Sequence, residues 1–278
     1  VLSDRIVPAR TIAAEKLMVT ADPTGISISG QVTFDGIPAD VTWRQKFGPE
    51  WRGKSSVTGT VELSPRAMKA MAVSLPDGSV AGTGTGTLKL DLERGEPTAY
   101  NLTSDLAGLT LSIPEIGWTK QANQTGKLLV AGLLGLPATI DKFEISGAGL
   151  AASGKITLNK DGSLDAASFP KASLGAWFDG EIVLRGQGAG RNVGVEVTGG
   201  TADLRAATFG EGRGGGNTPI TVALERLTIS SGISLTGFRG AFGTEGGFSG
   251  RFAGMVNGEA AVNGTVEPVG GRGAIRVT

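Results

Sequence analysis

A chain of 278 residues with 46 glycines, 26 basic and 26 acidic side chains, and neither histidine nor cysteine excludes several classes of protein at once. Balanced charge removes the basic field that phosphate-directed binding of nucleic acid requires. The missing histidine and cysteine remove the usual metal ligands, the usual general base near neutral pH, thiol nucleophiles and disulfides.

Average usage would give roughly 20 glycines; the excess here follows no triplet period, which excludes collagen and points to turns, bulges and close backbone approaches. Strand-like runs follow one another at the spacing of roughly 8–12 residues that marks all-β folds. Ile26, Ile28, Val32 and Phe34 alternate with Ser27, Ser29, Gln31 and Thr33, and Val41, Trp43 and Phe47 with Thr42, Arg44 and Lys46. One segment predicts a helix. Ser64 stands as N-cap before Pro65 at the first helical position, and Ala67, Met68, Met71 and Ala72 form a stripe, so two to three turns are expected against an end or edge of the sheet.

Val80 to Leu92 reads as a single long strand. Val80, Gly82, Gly84, Gly86, Leu88, Leu90 and Leu92 fall on one face; Thr83, Thr85, Thr87, Lys89 and Asp91 fall on the other. The three glycines on the apolar face are expected to leave space where a packed core would want volume. The pattern returns in Tyr100, Leu102 and Leu106, in Leu109, Leu111 and Ile113, and in Leu150, Ala152, Ile156 and Leu158 opposite Ser153, Lys155 and Thr157. Later runs are Ile182/Leu184, Val193/Val195/Val197, Ile220/Val222/Leu224 and Val262/Val266. Turn signals at Asp35-Gly36, Asp77-Gly78, Asp161-Gly162 and Asn257-Gly258 are short, so neighbouring strands are expected to pair antiparallel as a meander. Glycine increases after Gly175 and peaks at Gly210–Gly216, which predicts a mobile loop and an internal division near 170–216 within one β domain spanning 1–278. There is no signal-peptide pattern and no run of 18 apolar residues. With Val1 at one end and a strand-like Ala274–Thr278 at the other, the chain is expected to be a segment of a longer protein, any anchor lying outside it.

Letter-matches to catalytic motifs fail on context. Gly210, Gly212 and Gly215 fit G-x-G-x-x-G, but a strand pattern follows where a phosphate-binding helix is needed. Ser168 and Lys171 spell S-x-x-K with Pro170 between them and without the companion motifs of penicillin-recognising enzymes. The oxygens of Asn159, Asp161 and Asp165 suit calcium, yet a hairpin turn is needed there anyway. Asn101-Leu-Thr103, Asn123-Gln-Thr125 and Asn263-Gly-Thr265 match glycosylation acceptors, a pattern common by chance. No carboxylate has an apolar setting that marks an acid catalyst, so no enzyme, metal or cofactor is expected. The distributed apolar face is the remaining signal: it either closes on itself or holds a foreign apolar molecule. Aromatics at 5% and the three inward glycines favour an open groove.

Leu63–Met71, Asp77–Val80 and the long amphipathic strand after them resemble a segment of AsmA-like proteins, and within these the YhdP-like branch of Gram-negative bacteria. Ala107–Lys120, an apolar strand followed by Pro114 and Trp118, is similar to a recurring segment of that family, as is the strand–turn–strand of Asp141–Gly154. The likeness runs from about Ile12 to the end, in style and order. It implies a periplasmic protein held in the inner membrane by an N-terminal helix outside this segment. Its sheet would curl into a taco-shaped apolar trough conducting phospholipids between inner and outer membranes, with no catalytic residue to carry over. On that reading Val80, Leu88, Leu90, Leu92, Leu109, Leu111, Ile113, Leu150, Ile156 and Leu158 line the trough and touch the acyl chains. Two alternatives stand beside it: a scaffold for outer-membrane protein assembly, as proposed for the TamB branch, working through a sheet edge, and a structural β-solenoid or adhesin with a closed core.

Overall fold

The computed structural model describes residues 2–3, 11–71, 73, 78–113, 116–135, 137–188, 192–207, 218–245, 247–269 and 272–277, with backbone alone for 2–3, 268–269 and 272–277. Asp77, the glycine-rich run at 210–216 and the last stripe residue Ala72 lie outside the described residues. The protein is all-β: among the described residues 66% lie in strands, with one α-helix and a single 3-10 turn at Pro49–Trp51. No helix among the described residues is long and apolar enough to cross a membrane. The chain divides into two compact units, Val1–Ser112 with Lys120–Phe143, and Ile113–Thr119 with Glu144–Thr278.

The first unit holds β1 (Leu2–Ser3), β2 (Ile12–Ala14), β3 (Met18–Asp22), β4 (Gly25–Phe34), β5 (Ile37–Lys46), β6 (Lys54–Leu63), α1 (Pro65–Ala70), β7 (Val80–Gly82), β8 (Gly84–Glu93), β9 (Ala99–Ser104) and β12 (Lys127–Leu133). Three strands, β10 (Leu109–Ile113), β11 (Trp118–Lys120) and β13 (Ile140–Gly147), run across the division. In the main sheet β4, β5, β6, β8, β9 and β12 each pair antiparallel with the next, and both β2 and β3 lie along the other side of β4. Asp35 (φ 48°) and Gly36 (φ 81°) make the tight left-handed turn that the Asp-Gly signal predicts. Ten consecutive pairs therefore hold β4 against β5 without a slip. Register carries the apolar residues straight across: Ile28, Trp43, Val57, Leu90 and Tyr100 stand opposite one another on five strands.

The strand expected over Val80–Leu92 is two strands. At Gly82 (φ 83°) the chain turns; β7 pairs with β10, while β8 joins the main sheet. A Cβ on Gly82 would stand 2.3 Å from the Gly108 carbonyl oxygen, so only glycine admits this crossing of backbones. The helix is also shorter than its stripe suggests. Ser64 Oγ accepts from the Ala67 amide at 3.1 Å and Pro65 opens the first turn, as predicted, but α1 stops after six residues at Met71. Beyond it come β-branched Val73 and then Pro76, neither of which continues a helix. Ala67 is buried; Met71, expected on the covered stripe, is exposed.

The second unit holds β14 (Leu150–Leu158), β15 (Leu164–Leu174), β16 (Phe178–Arg185), β17 (Gly194–Asp203), β18 (Ile220–Ser230), β19 (Ile233–Gly243), β20 (Ser249–Val256), β21 (Ala260–Val269) and β22 (Arg272–Val277), each paired with its successor. The meander expectation needs one correction: β17 and β18 are parallel. The connection over 204–219 is long enough to carry the chain back to the end it started from, which a two-residue turn cannot do. Register shifts fall between Phe169 and Ala172, between Glu181 and Ile182, and between Thr236 and Arg239. Across the last of these, buried Leu235 and Phe238 on β19 stand three residues apart instead of two, and the extra residue of the bulge keeps them on one face. On β18 Leu224 and Leu227, also buried, stand opposite Phe238 and Leu235 in unbroken register. Pro170, in the failed S-x-x-K match, sits in the first of these bulges, where a missing N–H costs no ladder bond. Among the described residues the sheet is mixed and does not close into a barrel.

Candidate functional site

The apolar face of the first unit is filled at one end and half-covered over the rest. At the α1 end Ile37, Leu63, Ala67, Leu106, Leu109 and Leu111 are buried. Along the row Ile28, Trp43, Val57, Leu90 and Tyr100 every side chain is only half-buried, as are Leu88 and Leu92 beside it. On β8 the alternation is complete: Gly84 and Gly86 are buried, Leu88, Leu90 and Leu92 half-buried, and Thr85, Thr87, Lys89, Asp91 and Glu93 exposed.

The space expected at the glycines is not there. A Cβ on Gly84 would lie 2.6 Å from the Ala107 carbonyl oxygen and 2.9 Å from Leu109 Cγ. One on Gly86 would lie 2.8 Å from Leu102 Cδ1 and 3.3 Å from Leu63 Cδ1. These glycines receive neighbouring backbone and leucines; absence of a side chain here means close approach, not a void.

A lysine locks that end. Lys120 is fully buried, and its Nζ donates to the carbonyl oxygens of Leu106 (2.6 Å), Leu109 (2.9 Å) and Gln121 (3.2 Å), which uses all three ammonium protons. Burial holds its ammonium below the usual lysine range, with nearby Asp105 pulling the other way. The loop it grips carries Leu106 in a left-handed conformation (φ 58°) and is tied further by Ser104 Oγ donating to the Thr85 carbonyl and by Ala107 N donating to Asp105 Oδ1. Nothing in the sequence marks Lys120, and Leu106, expected in a strand run with Tyr100 and Leu102, lies instead in the loop after β9.

The ten residues expected to line a trough fall into separate sets. Leu88, Leu90 and Leu92 share the half-covered face of β8. Val80 faces Leu111 in the small β7–β10 pairing, where Leu109 (1% exposed) and Leu111 are buried core. Ile113, at 37% exposed, lies at the surface. Leu150, Ile156 and Leu158 are half-buried on β14 of the second unit, opposite Leu174, Ala167 and Leu164.

On the second unit's apolar face aromatic rings take the place of a covering layer. A Cβ on Gly264 would meet Phe252 Cζ at 2.3 Å, and one on Gly240 would meet Phe242 Cε2 at 2.3 Å, so phenyl rings lie over the glycines. The Asn159–Asp165 segment is an internally bonded turn: Gly162 N donates to Asn159 O at 2.9 Å, and Ser163 N and Oγ both donate to Asp161 Oδ1. Those bonds hold the Asp161 carboxyl below its usual range. Ser168 and Lys171 stand on a bulged strand and not on a helix.

Comparison of the chain with protein-family models, with curated proteins and with solved structures returns no match. The architecture itself defines the class: an all-β protein of one-sided, amphipathic sheets.

Proposed function

We propose that the protein holds elongated apolar molecules, in particular phospholipid acyl chains, along the half-covered face of its first sheet, as a non-catalytic part of a lipid conduit between the two membranes of a Gram-negative envelope. The observation that carries this reading is the row Ile28, Trp43, Val57, Leu90 and Tyr100, continuous over five paired strands yet nowhere buried. A soluble sheet face of that length gains from cover. Water contact of about 30 lipid methylenes would cost roughly 25 kcal/mol at about 0.8 per CH₂, so tails and face have a common interest in meeting. The resemblance to AsmA-like proteins supplies the lipid and the periplasmic location. Repeated aliphatic contacts without a polar anchor would let a chain slide along the row.

Native mass spectrometry of the purified protein, with organic extraction, tests the reading. Phospholipid at near-stoichiometric occupancy, lost in Leu88→Asp/Leu90→Asp while the far-ultraviolet spectrum is kept, is the expected result. A lipid-free mass with no uptake from vesicles would refute it. Leu111 is unsuitable for the test, because it is buried core and an Asp there is expected to destabilise the β7–β10 pairing whatever the function. A second reading, strand templating, is favoured by β3, exposed along all five residues and paired among the described residues only with β4. Co-purified polypeptide in place of lipid would be its mark.

A further inference from the structure

We propose that the polar face of the second unit carries a site for a phosphate group, bound between Arg239 and Arg251. A cavity of about 740 Å³ spreads over β17 to β21, within the range of about 300–1,000 Å³ typical of ligand sites. It touches Gly240 and Gly264, whose apolar side is occupied by the rings of Phe242 and Phe252. Its lining includes Phe252, but on each strand it also takes the residues to either side, Arg239 and Ala241 about Gly240, Arg251 and Ala253 about Phe252, so by alternation the cavity lies on the face opposite the rings. There the side chains of Arg239, Arg251, Asn263, Thr221 and Thr265 surround it.

Register sets the two arginines against small neighbours. Arg239 stands opposite Ala223 on one side and Ala253 on the other; Arg251 stands opposite Ala241 and Thr265. They occupy diagonal positions on adjacent antiparallel strands, about 7–8 Å apart at the backbone, with alanines between them that leave the guanidiniums room. Both are exposed, and neither has an ion-pair or hydrogen-bond partner among the described residues. The one carboxylate lining the cavity, Glu196, is already engaged: Arg185 Nε donates to both of its oxygens at 3.2 Å. Two planar donor forks without a counter-charge, over a floor of alanine and threonine, suit an anion with several oxygens at tetrahedral angles. Because the apolar chains proposed above belong to the other unit, the site does not depend on that reading.

The test is titration of the full chain, labelled with ¹⁵N, with inorganic pyrophosphate and, separately, with vesicles of phosphatidylcholine carrying phosphatidic acid, reading arginine Nε–H signals and co-sedimentation. The shared ligand is the phosphate group; the two arms separate a soluble phosphate from a lipid headgroup. Saturable binding in either arm, weakened at least tenfold in Arg239→Gln/Arg251→Gln and retained in Lys155→Gln/Lys171→Gln, is expected. The second pair removes the same charge from β14 and β15, so it separates a site from a general charge effect. Absence of binding in both arms, or binding that survives loss of both arginines, would overturn the proposal.

Discussion

Gly84→Ala asks whether the apolar end of β8 is open or filled, and the two answers differ in sign. The new Cβ would stand 2.6 Å from the Ala107 carbonyl oxygen, where a C···O contact is normally about 3.3 Å. Relief therefore requires about 0.7 Å of movement by backbone, not by the tip of a side chain. Leu109 Cγ at 2.9 Å blocks the other direction. The obstructing loop cannot retreat freely, because Lys120 holds the carbonyls of Leu106 and Leu109 on either side of Ala107. Overpacking of this kind costs about 1–3 kcal/mol, and the backbone constraint argues for about 2. Were the glycine facing empty groove, alanine would instead stabilise by about 0.5–1 kcal/mol through lower unfolded-state entropy. Urea denaturation followed by tryptophan emission, with hydrogen exchange at Thr85 and Leu109 as a local readout, measures the sign. An unchanged or raised midpoint would falsify the filled-end account.

Lys120→Met removes the donor from three carbonyls, two of them buried, and should lower stability by about 2–4 kcal/mol; a loss under 1 kcal/mol in the same denaturation would show that water replaces the ammonium. For the α1 cap the readout is pH. The Ser64 hydroxyl, and after it Arg66, lowers the Glu62 carboxyl below 4.5, so its contribution is complete above the unfolded value and disappears as pH falls through the folded one. Wild type should exceed Glu62→Gln in melting temperature at pH 7 and converge with it as pH falls through the folded value; parallel curves would contradict the assignment. Gly264→Val should cost about 1–3 kcal/mol in wild type and much less in a Phe252→Ala background, since the ring is what the new side chain meets. Strict additivity in that double-mutant cycle would mean the ring does not lie on Gly264.

Period-2 alternation located many of the strands, because half-covered sheets keep one wet face, but it named no run at β3, β6, β12, β19 or β20; the Asp35-Gly36 turn followed from the one backbone geometry that pair favours. What could not be read was long-range. Whether Gly82, Gly84 and Gly86 face space or another segment depends on where residues 102–109 pass, and nothing local to 80–92 encodes that. The same gap hid the break at Gly82, since alternation continues through a residue at which the backbone changes sheets. In the second unit a bulge in β19 shifts the apolar period by one, so Leu235/Phe238, and Leu224/Leu227 opposite them, read as noise until pairing is known. Lys120 was invisible for a related reason: a buried lysine is declared only by the three carbonyls around it, and these belong to Leu106, Leu109 and Gln121.

How each sheet treats its apolar side bears on where the proposed chains belong. Around β19 to β21 the face closes itself, Phe242 and Phe252 lying on glycines of their own or neighbouring strands, which lowers exposed apolar area without a second layer. At the α1 end of the first unit leucines do the same, Leu63 and Leu102 over Gly86 and Leu109 over Gly84. Past Gly86 β8 itself carries no further apolar-side glycine, and the remaining niche is on β6, where a Cβ on Gly59, opposite Leu88, would meet Val41 Cγ1 at 2.9 Å. Leu88, Leu90 and Leu92 succeed one another on β8 and remain half-exposed beside Val57 and Tyr100. A ligand that replaces water gains most where the protein has not already replaced it. On the proposed function, acyl chains therefore belong on the Leu88–Leu92 stretch, and Asp substitutions at Leu88 and Leu90 should abolish loading that Phe252→Ala leaves intact.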